Sequence, residues 1–171
     1  MPAPLVAGNK TPFAKMLTVV RKAPFCLIPK ELFIEEKIQA HWHVLYPDFH
    51  CGNIVKDELD SFYLLYPNSK NIEHIHEKTF LYNNLRKDFP QQSDAIGVNI
   101  YEEIFFLLIL KERQIVHSAY YHFSVKEDIL YHIANLFQHF FEDKTQIPIF
   151  YNQISYKILR FLKEYFEMKQ L

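Results

Sequence analysis

Glycine is almost missing: 171 residues include only Gly8, Gly52 and Gly97, no two of them close together. Loops that wrap a nucleotide's phosphates use glycine to bring backbone amides up to the oxygens. A chain this poor in glycine is expected to lack such a loop and not to be a working NTPase. Cysteine is scarce too, with only Cys26 and Cys51. A small oxidised scaffold needs more, which predicts two buried or free thiols in a reducing, cytoplasmic setting. No sign of charge dominates: 19 Lys+Arg face 20 Asp+Glu, for a net charge of −1. The basic excess with which nucleic-acid binders neutralise phosphates is therefore absent, and a nucleic-acid partner is not expected. The longest apolar run, Ile104–Leu110, is seven residues, against about 20 for a membrane-spanning helix; it predicts a buried strand. The opening MPAPLVAGNKTPFAKML has no charged segment leading into an apolar run, unlike a signal peptide.

Apolar and aromatic side chains are plentiful. Hydrophobic residues make up 49% and aromatics 16%, with 16 Phe and 11 Tyr, so the chain can bury a core and is expected to fold. Pro2, Pro4, Gly8 and Pro12 predict a loose tail over residues 1–16. Leu17–Val20 and Pro24–Ile28 read as short strands. Pro29 is expected to open a helix with Glu31 in its first turn, carrying Leu32, Phe33, Ile38, Trp42 and Leu45 to Pro47-Asp48. A strand or loop pair is expected over Gly52–Asp60, a strand over Phe62–Tyr66, a turn at Pro67-Asn68-Ser69 and a short strand at Ile72–His76. An amphipathic helix follows from Glu77, with Phe80, Leu81, Leu85 and Phe89, and stops at Pro90.

Gln91–Asp94 is the best internal boundary. Beyond it, Ala95–Tyr101, Glu103–Lys111 and Gln114–Phe123 predict three strands in an antiparallel meander, the middle one covered on both faces. Ser124-Val-Lys-Glu127 predicts a capping box, with Ser124 accepting from the Glu127 amide and Glu127 reaching back. The helix it starts has a wide stripe: Ile129, Leu130, Ile133, Ala134, Leu136, Phe137, Phe140 and Phe141. Asp143–Thr145 ends it. Ile147–Tyr151 predicts a fourth strand, set parallel to a neighbour by the crossover. Gln153–Met168 predicts a last helix.

The order strand–strand–strand–helix–strand–helix over residues 95–168 resembles a ribonuclease-H-like lobe, two of which make the actin-like fold of sugar kinases, heat-shock chaperones and actin. Pro24-Phe-Cys-Leu-Ile-Pro-Lys-Glu-Leu-Phe33, followed by Glu35-Glu36-Lys37, resembles a segment of an uncharacterised bacterial domain family with an actin-like ATPase fold. Ile96–Tyr101 and Phe105–Leu110 resemble that family's second-lobe hairpin. Phe123–Tyr131 resembles its helix start, and Ile147–Tyr151 its last core strand. The resemblance implies an α/β fold with a loose tail (1–16), a reduced first lobe (17–92) and a second, ribonuclease-H-like lobe (93–171). It implies a fold rather than an activity.

Three departures from an actin-like ATPase stand out. Tyr101-Glu102-Glu103 occupies the turn where a glycine loop would hold phosphates, and its carboxylates would repel them. Asn99 stands where a metal-holding aspartate is expected. Asn152-Gln153-Ile154-Ser155 replaces a Gly-Gly loop at the adenosine position. The first lobe also looks short, with no obvious strand pair ahead of Leu17.

Histidine clusters at His41/His43, His50-Cys51 and His74/His76 invite a metal reading. On a helix, His41 and His43 diverge; on a strand, His74 and His76 share a face but need a third ligand such as His50 or Cys51. No metal or cofactor is therefore expected. His117, His122, His132 and His139 are assigned to structure. Glu35-Glu36 and Glu102-Glu103 read as solvated charges, Ser61, Ser118 and Ser124 lack a nucleophile motif, and Cys26 reads as a core residue. Tyr120-Tyr121-His122-Phe123 is the expected partner surface, tyrosine joining an apolar ring to a polar tip. Two functions are carried forward. One is a non-catalytic interaction or scaffold module that docks another protein or self-associates. The other is a divergent phosphohydrolase or phosphotransferase using Asp94 with Glu102 or Glu103 around a metal in an inter-lobe cleft.

Overall fold

A computed structural model describes residues 18–20, 24–49, 53–67, 74–142 and 146–171. The expected tail, His50, Cys51, Gly8, Gly52, the turn residues Asn68-Ser69 and the helix end at Asp143–Thr145 lie outside the described residues. The fold is mixed α/β, and the described strands form three sheets.

The largest sheet is built around an apolar strand. β6 (Ala95–Ile100), β7 (Ile104–Lys111) and β8 (Gln114–His122) pair antiparallel in sequence order. β9 (Ile149–Tyr151) lies parallel to β6 on its other side, and β10 (Met168–Gln170) lies parallel to β9. Every β7 residue from Phe105 to Leu110 is buried. Alternation sends Phe105, Leu107 and Ile109 into one core, and Phe106, Leu108 and Leu110 into another.

The first core is closed by α3 (Lys126–Phe140) and α4 (Tyr156–Leu162), through Ile129, Ile133, Phe161 and Leu162. The α3 stripe is narrower than expected: Ile129 and Ile133 are fully buried, Leu130, Leu136, Phe137 and Phe140 partly, and Ala134 is exposed. Its cap is displaced by one residue. The N-cap is Val125, and Asp128, rather than Glu127, reaches back, its Oδ2 accepting the Ser124 and Val125 amides at 2.8 and 3.1 Å. Those bonds hold the Asp128 carboxyl below its usual range. The last helix is shorter than expected. It stops at Leu162, and Met168–Gln170 becomes β10 because a free lane beside β9 can satisfy its backbone.

The second core is closed by α2 (Glu77–Asp88), which follows β5 (His74–His76) without a break. Leu81, Tyr82 and Leu85 meet Phe106, Leu108 and Leu110, together with Leu64 and Tyr66 of β4 (Phe62–Pro67). β4 is the middle of an antiparallel sheet with β2 (Cys26–Pro29) and β3 (Ile54–Glu58). β1 (Thr18–Val20) pairs parallel with β5. Pro29 ends β2 instead of opening a helix. Two 3-10 turns, Lys30–Leu32 and Glu35–Lys37, precede α1 (Ile38–Leu45). The expected stripe is broken accordingly: Trp42 is buried with Cys26, Ile28, Ile54 and Leu65, while Leu32 and Leu45 face solvent. Burial also raises the Cys26 thiol pKa.

Two backbone details fix how the sheet meets its surroundings. The β7–β8 turn places Glu112 and Arg113 at φ 51° and 69°, a left-handed pair that glycine or asparagine normally supplies. It is anchored by Glu112 N donating to Asp94 Oδ1 at 2.7 Å and Arg113 N donating to Ser93 O at 2.7 Å. At Gly97, α2 comes so close that a Cβ would sit 2.8 Å from Leu81 Cδ2 and 3.2 Å from Leu85 Cδ1. Both leucines are themselves buried and have little room to step aside. Gly97→Ala is therefore expected to cost about 1–3 kcal/mol in urea unfolding; an unchanged midpoint would contradict this packing.

Candidate functional site

The chain's most concentrated buried polarity sits where β5 becomes α2. His76, Glu77, Lys78 and Thr79 are all buried, with exposures of 0, 1, 2 and 3%. Charged residues are rarely buried like this unless the fold holds them. His76 is the extended N-cap of α2, and its Nδ1 accepts the Lys78 amide at 3.2 Å, the position usually served by a Ser or Asp oxygen. Its own amide donates to Asp57 Oδ2 at 3.1 Å, and Asp57 Oδ1 accepts from the Tyr66 hydroxyl at 2.9 Å. Burial, reinforced by Asp57, pushes the Tyr66 phenol pKa far up. The helix start is thus tied to β3 and β4.

Glu77 ties it to the larger sheet. Its Oε2 accepts from the Tyr101 hydroxyl and its Oε1 from the Tyr120 hydroxyl. Tyr101 stands in the β6–β7 turn, closed by its amide donating to Ile104 O at 2.9 Å; Tyr120 stands on β8. One carboxylate therefore joins α2 to a turn and a strand 24 and 43 residues away. Bonds to a charged acceptor are stronger than neutral ones.

Lys78 lies beside it. Its Nζ sits over the rings of Phe25, Phe106 and Tyr120 and has no hydrogen-bond partner. Burial pushes its amine down to about 6, opposed by Glu77. The N-terminal end of a helix also disfavours a cation. The neutral amine is therefore favoured over the ammonium relative to an exposed lysine.

The residues singled out from sequence are placed apart from one another. Asp94 and the Glu102-Glu103 pair stand at opposite ends of β6, whose six residues span about 20 Å, so they cannot share a metal. Asp94 instead anchors the β7–β8 turn. Asn99 is buried and its Oδ1 accepts the Gln153 amide at 3.3 Å, fastening the segment after β9. Tyr120 faces the α2 side of the sheet. Tyr121 and Phe123 face the α3 side, Tyr121 stacked on Phe105 with its hydroxyl 2.7 Å from His117 Nε2. His122 is exposed. The four residues do not make one continuous platform.

Among the described residues no three His, Cys, Asp or Glu side chains converge as a metal-binding group. On α1, His41 stacks on Phe33 and His43 is exposed, with buried Trp42 between them. The sequence reading missed Glu77 and Lys78, whose spacing reads as the ordinary polar start of an amphipathic helix. The available signal was the polar run His76-Glu77-Lys78-Thr79 directly behind a strand.

No protein-family model and no curated protein matches the chain. Among solved structures it is similar to a Bacteroides thetaiotaomicron protein with an actin-like ATPase fold and unknown function. The identity is 12% and the TM-score 0.67, over 90% of this chain and 66% of that one. This chain thus spans just under two thirds of that protein's length, and the likeness is one of fold. Among the described residues no helix is long and apolar enough to cross a membrane.

Two outcomes follow from the Glu77–Lys78 geometry. Tyr101→Phe and Tyr120→Phe should each cost about 1–3 kcal/mol in denaturant unfolding, because each removes a donor to a buried carboxylate. Their double mutant should be non-additive, since both serve one acceptor. Lys78 gives a pH signature. Its folded-state pKa lies below its unfolded value, so between about 6 and 10 the unfolded chain binds a proton that the folded chain does not. Stability must then rise with pH by up to about 1.4 kcal/mol per unit. From pH 7 to 8 the slope is cleanest, above the ordinary histidine range and below the ordinary thiol range, where the downward-shifted His117 and the upward-shifted Cys26 begin to contribute. Lys78→Met should flatten that slope and raise the melting temperature at pH 7; an equal slope in both proteins would refute the assignment.

Proposed function

We propose that this chain is a non-catalytic protein-interaction or scaffold module on an actin-like fold, without nucleotide chemistry. In this reading residues 93–171 are a ribonuclease-H-like second lobe, residues 17–92 a reduced first lobe, and the chain belongs with the uncharacterised bacterial family whose motifs it resembles. The antiparallel β6–β7–β8 set, extended by parallel β9 and β10, agrees with that assignment.

The observation that carries the reading is the packing at the β6–β7 turn. Binding phosphates there needs an open loop with amides aimed outward. Here the Tyr101 side chain folds back onto Glu77, while Glu102 and Glu103 stand exposed at the same turn. A phenol–carboxylate clasp takes the place of an open loop, and the exposed carboxylates repel an anionic ligand. What the surface offers instead is β8, an edge strand of its sheet among the described residues, with Val116 and His122 exposed. Tyr120, Tyr121 and Phe123 back that edge. A second protein, or a second copy, is the partner this surface suits.

The test is thermal unfolding with ATP or GTP, each with Mg²⁺. A ligand at 100 times its dissociation constant adds about 2.7 kcal/mol. The expected result is an unmoved transition at millimolar nucleotide; a stabilisation of that size would sink the module reading.

A further inference from the structure

Lys78 has no task in the reading above, yet it is the most unusual ionisable group among the described residues. It is 2% exposed, its Nζ has no hydrogen-bond partner, and it is enclosed by Phe25, Phe106 and Tyr120. These three rings come from the segment ahead of β2, from β7 and from β8. The box therefore exists only while the small sheet, the large sheet and α2 stay together. The charged and titratable groups around it can be named element by element. Glu77 precedes it on α2, and His76 caps the helix from β5, held in turn by Asp57 of β3. Tyr120 comes from β8; so does His117, which lies on the other face of that strand beside Tyr121 and Phe140 and is held down first by burial. Tyr101 comes from the β6–β7 turn through Glu77. Phe25 and Phe106 bring no charge.

The geometry points to a proton-operated latch: the clasp of Tyr101 and Tyr120 on Glu77 is closed while the boxed Lys78 is an amine, and opens when Lys78 takes up a proton. A buried ammonium with no hydrogen-bond acceptor is unfavourable, and the three ring faces offset only part of that cost. The new cation has two ways out. It can leave for water, which empties the box and unpacks Phe25 from Tyr120, now 6.2 Å apart between ring centres. Otherwise it can turn to Glu77, whose oxygens are then drawn from the two phenols. Both routes loosen α2 from the β6–β7 turn and from β8. Burial lowers the amine's pKa to about 6, so acidification is the direction that works the latch. Opening would bare three aromatic rings beside the edge strand, which is the change a pH-dependent docking surface needs.

The experiment is NMR on the intact chain, following lysine ¹³Cε shifts and amide exchange from pH 5 to 8.5. One lysine is expected to titrate near neutrality. With the same midpoint, the amides of residues 101–104 and β8 should lose protection by about tenfold or more, after correction for intrinsic exchange. In Lys78→Met that loss should vanish, and in His117→Gln it should remain. Three results would overturn the latch: all lysines titrating in the ordinary range, a loss of protection retained in Lys78→Met, or a loss abolished by His117→Gln. Should Lys78→Met fail to fold, the wild-type chain still decides, because a turn that moves with a midpoint different from the lysine's excludes it.

Discussion

A strand with large apolar side chains on both faces has to be covered twice, and the rest of this molecule follows from that requirement at β7. Phe105, Leu107 and Ile109 need one cover, and Phe106, Leu108 and Leu110 another. The chain supplies the first from its C-terminal half, as α3 and α4. It supplies the second from the preceding half, as α2 backed by β4. The two halves are thus joined through a shared apolar layer, and Gly97 sets how close that layer can come.

Polarity is placed at the seam of the second cover. Glu77 and Lys78 sit at the first turn of α2, where a helix still has free amides and where three sheets converge. Buried charges contribute little net stability compared with apolar side chains of the same size. They do impose a geometry, because a buried carboxylate must find its donors. Tyr101 and Tyr120 are those donors, and they align the turn and β8 against α2. The Asp57–His76–Tyr66 set does the same for β3, β4 and β5. Position is specified by these bonds, and cohesion by the leucines and phenylalanines around them.

Much of this order is written locally in the sequence. The unbroken apolar run at Ile104–Leu110 announces a doubly covered strand, and its neighbours carry the turns of a meander. The crossover that sets β9 parallel to β6 follows from the helix between them. What local pattern misreads is decided elsewhere in the chain. Tyr165, Phe166 and Met168 continue a helical period, but β10 forms because β9 has an open side. Leu32 and Phe33 look like the start of a helical stripe, yet the chain makes two tight turns before α1. The α3 cap is off by one residue: with Val125 at the N-cap, Asp128 falls at the third helical position and alone reaches back to the Ser124 and Val125 amides. The candidate site was the least legible part. Phe25, Tyr101 and Tyr120 are far from Glu77 and Lys78 in sequence, so nothing near His76 reveals that the polar run will be enclosed.

The β7–β8 turn carries one more consequence. Glu112 and Arg113 hold left-handed backbone angles that side-chain-bearing residues adopt only at an energetic cost. The offsetting bonds come from Ser93 and Asp94, with the Arg113 guanidinium donating to Pro90 O at 2.5 Å. That segment is also the connection out of α2. The hairpin is therefore a poor autonomous unit, since its tip is unfavourable until the linker behind α2 lies against it. The β7–β8 tip and the linker out of α2 therefore stabilise each other, and loss of either is felt at the other.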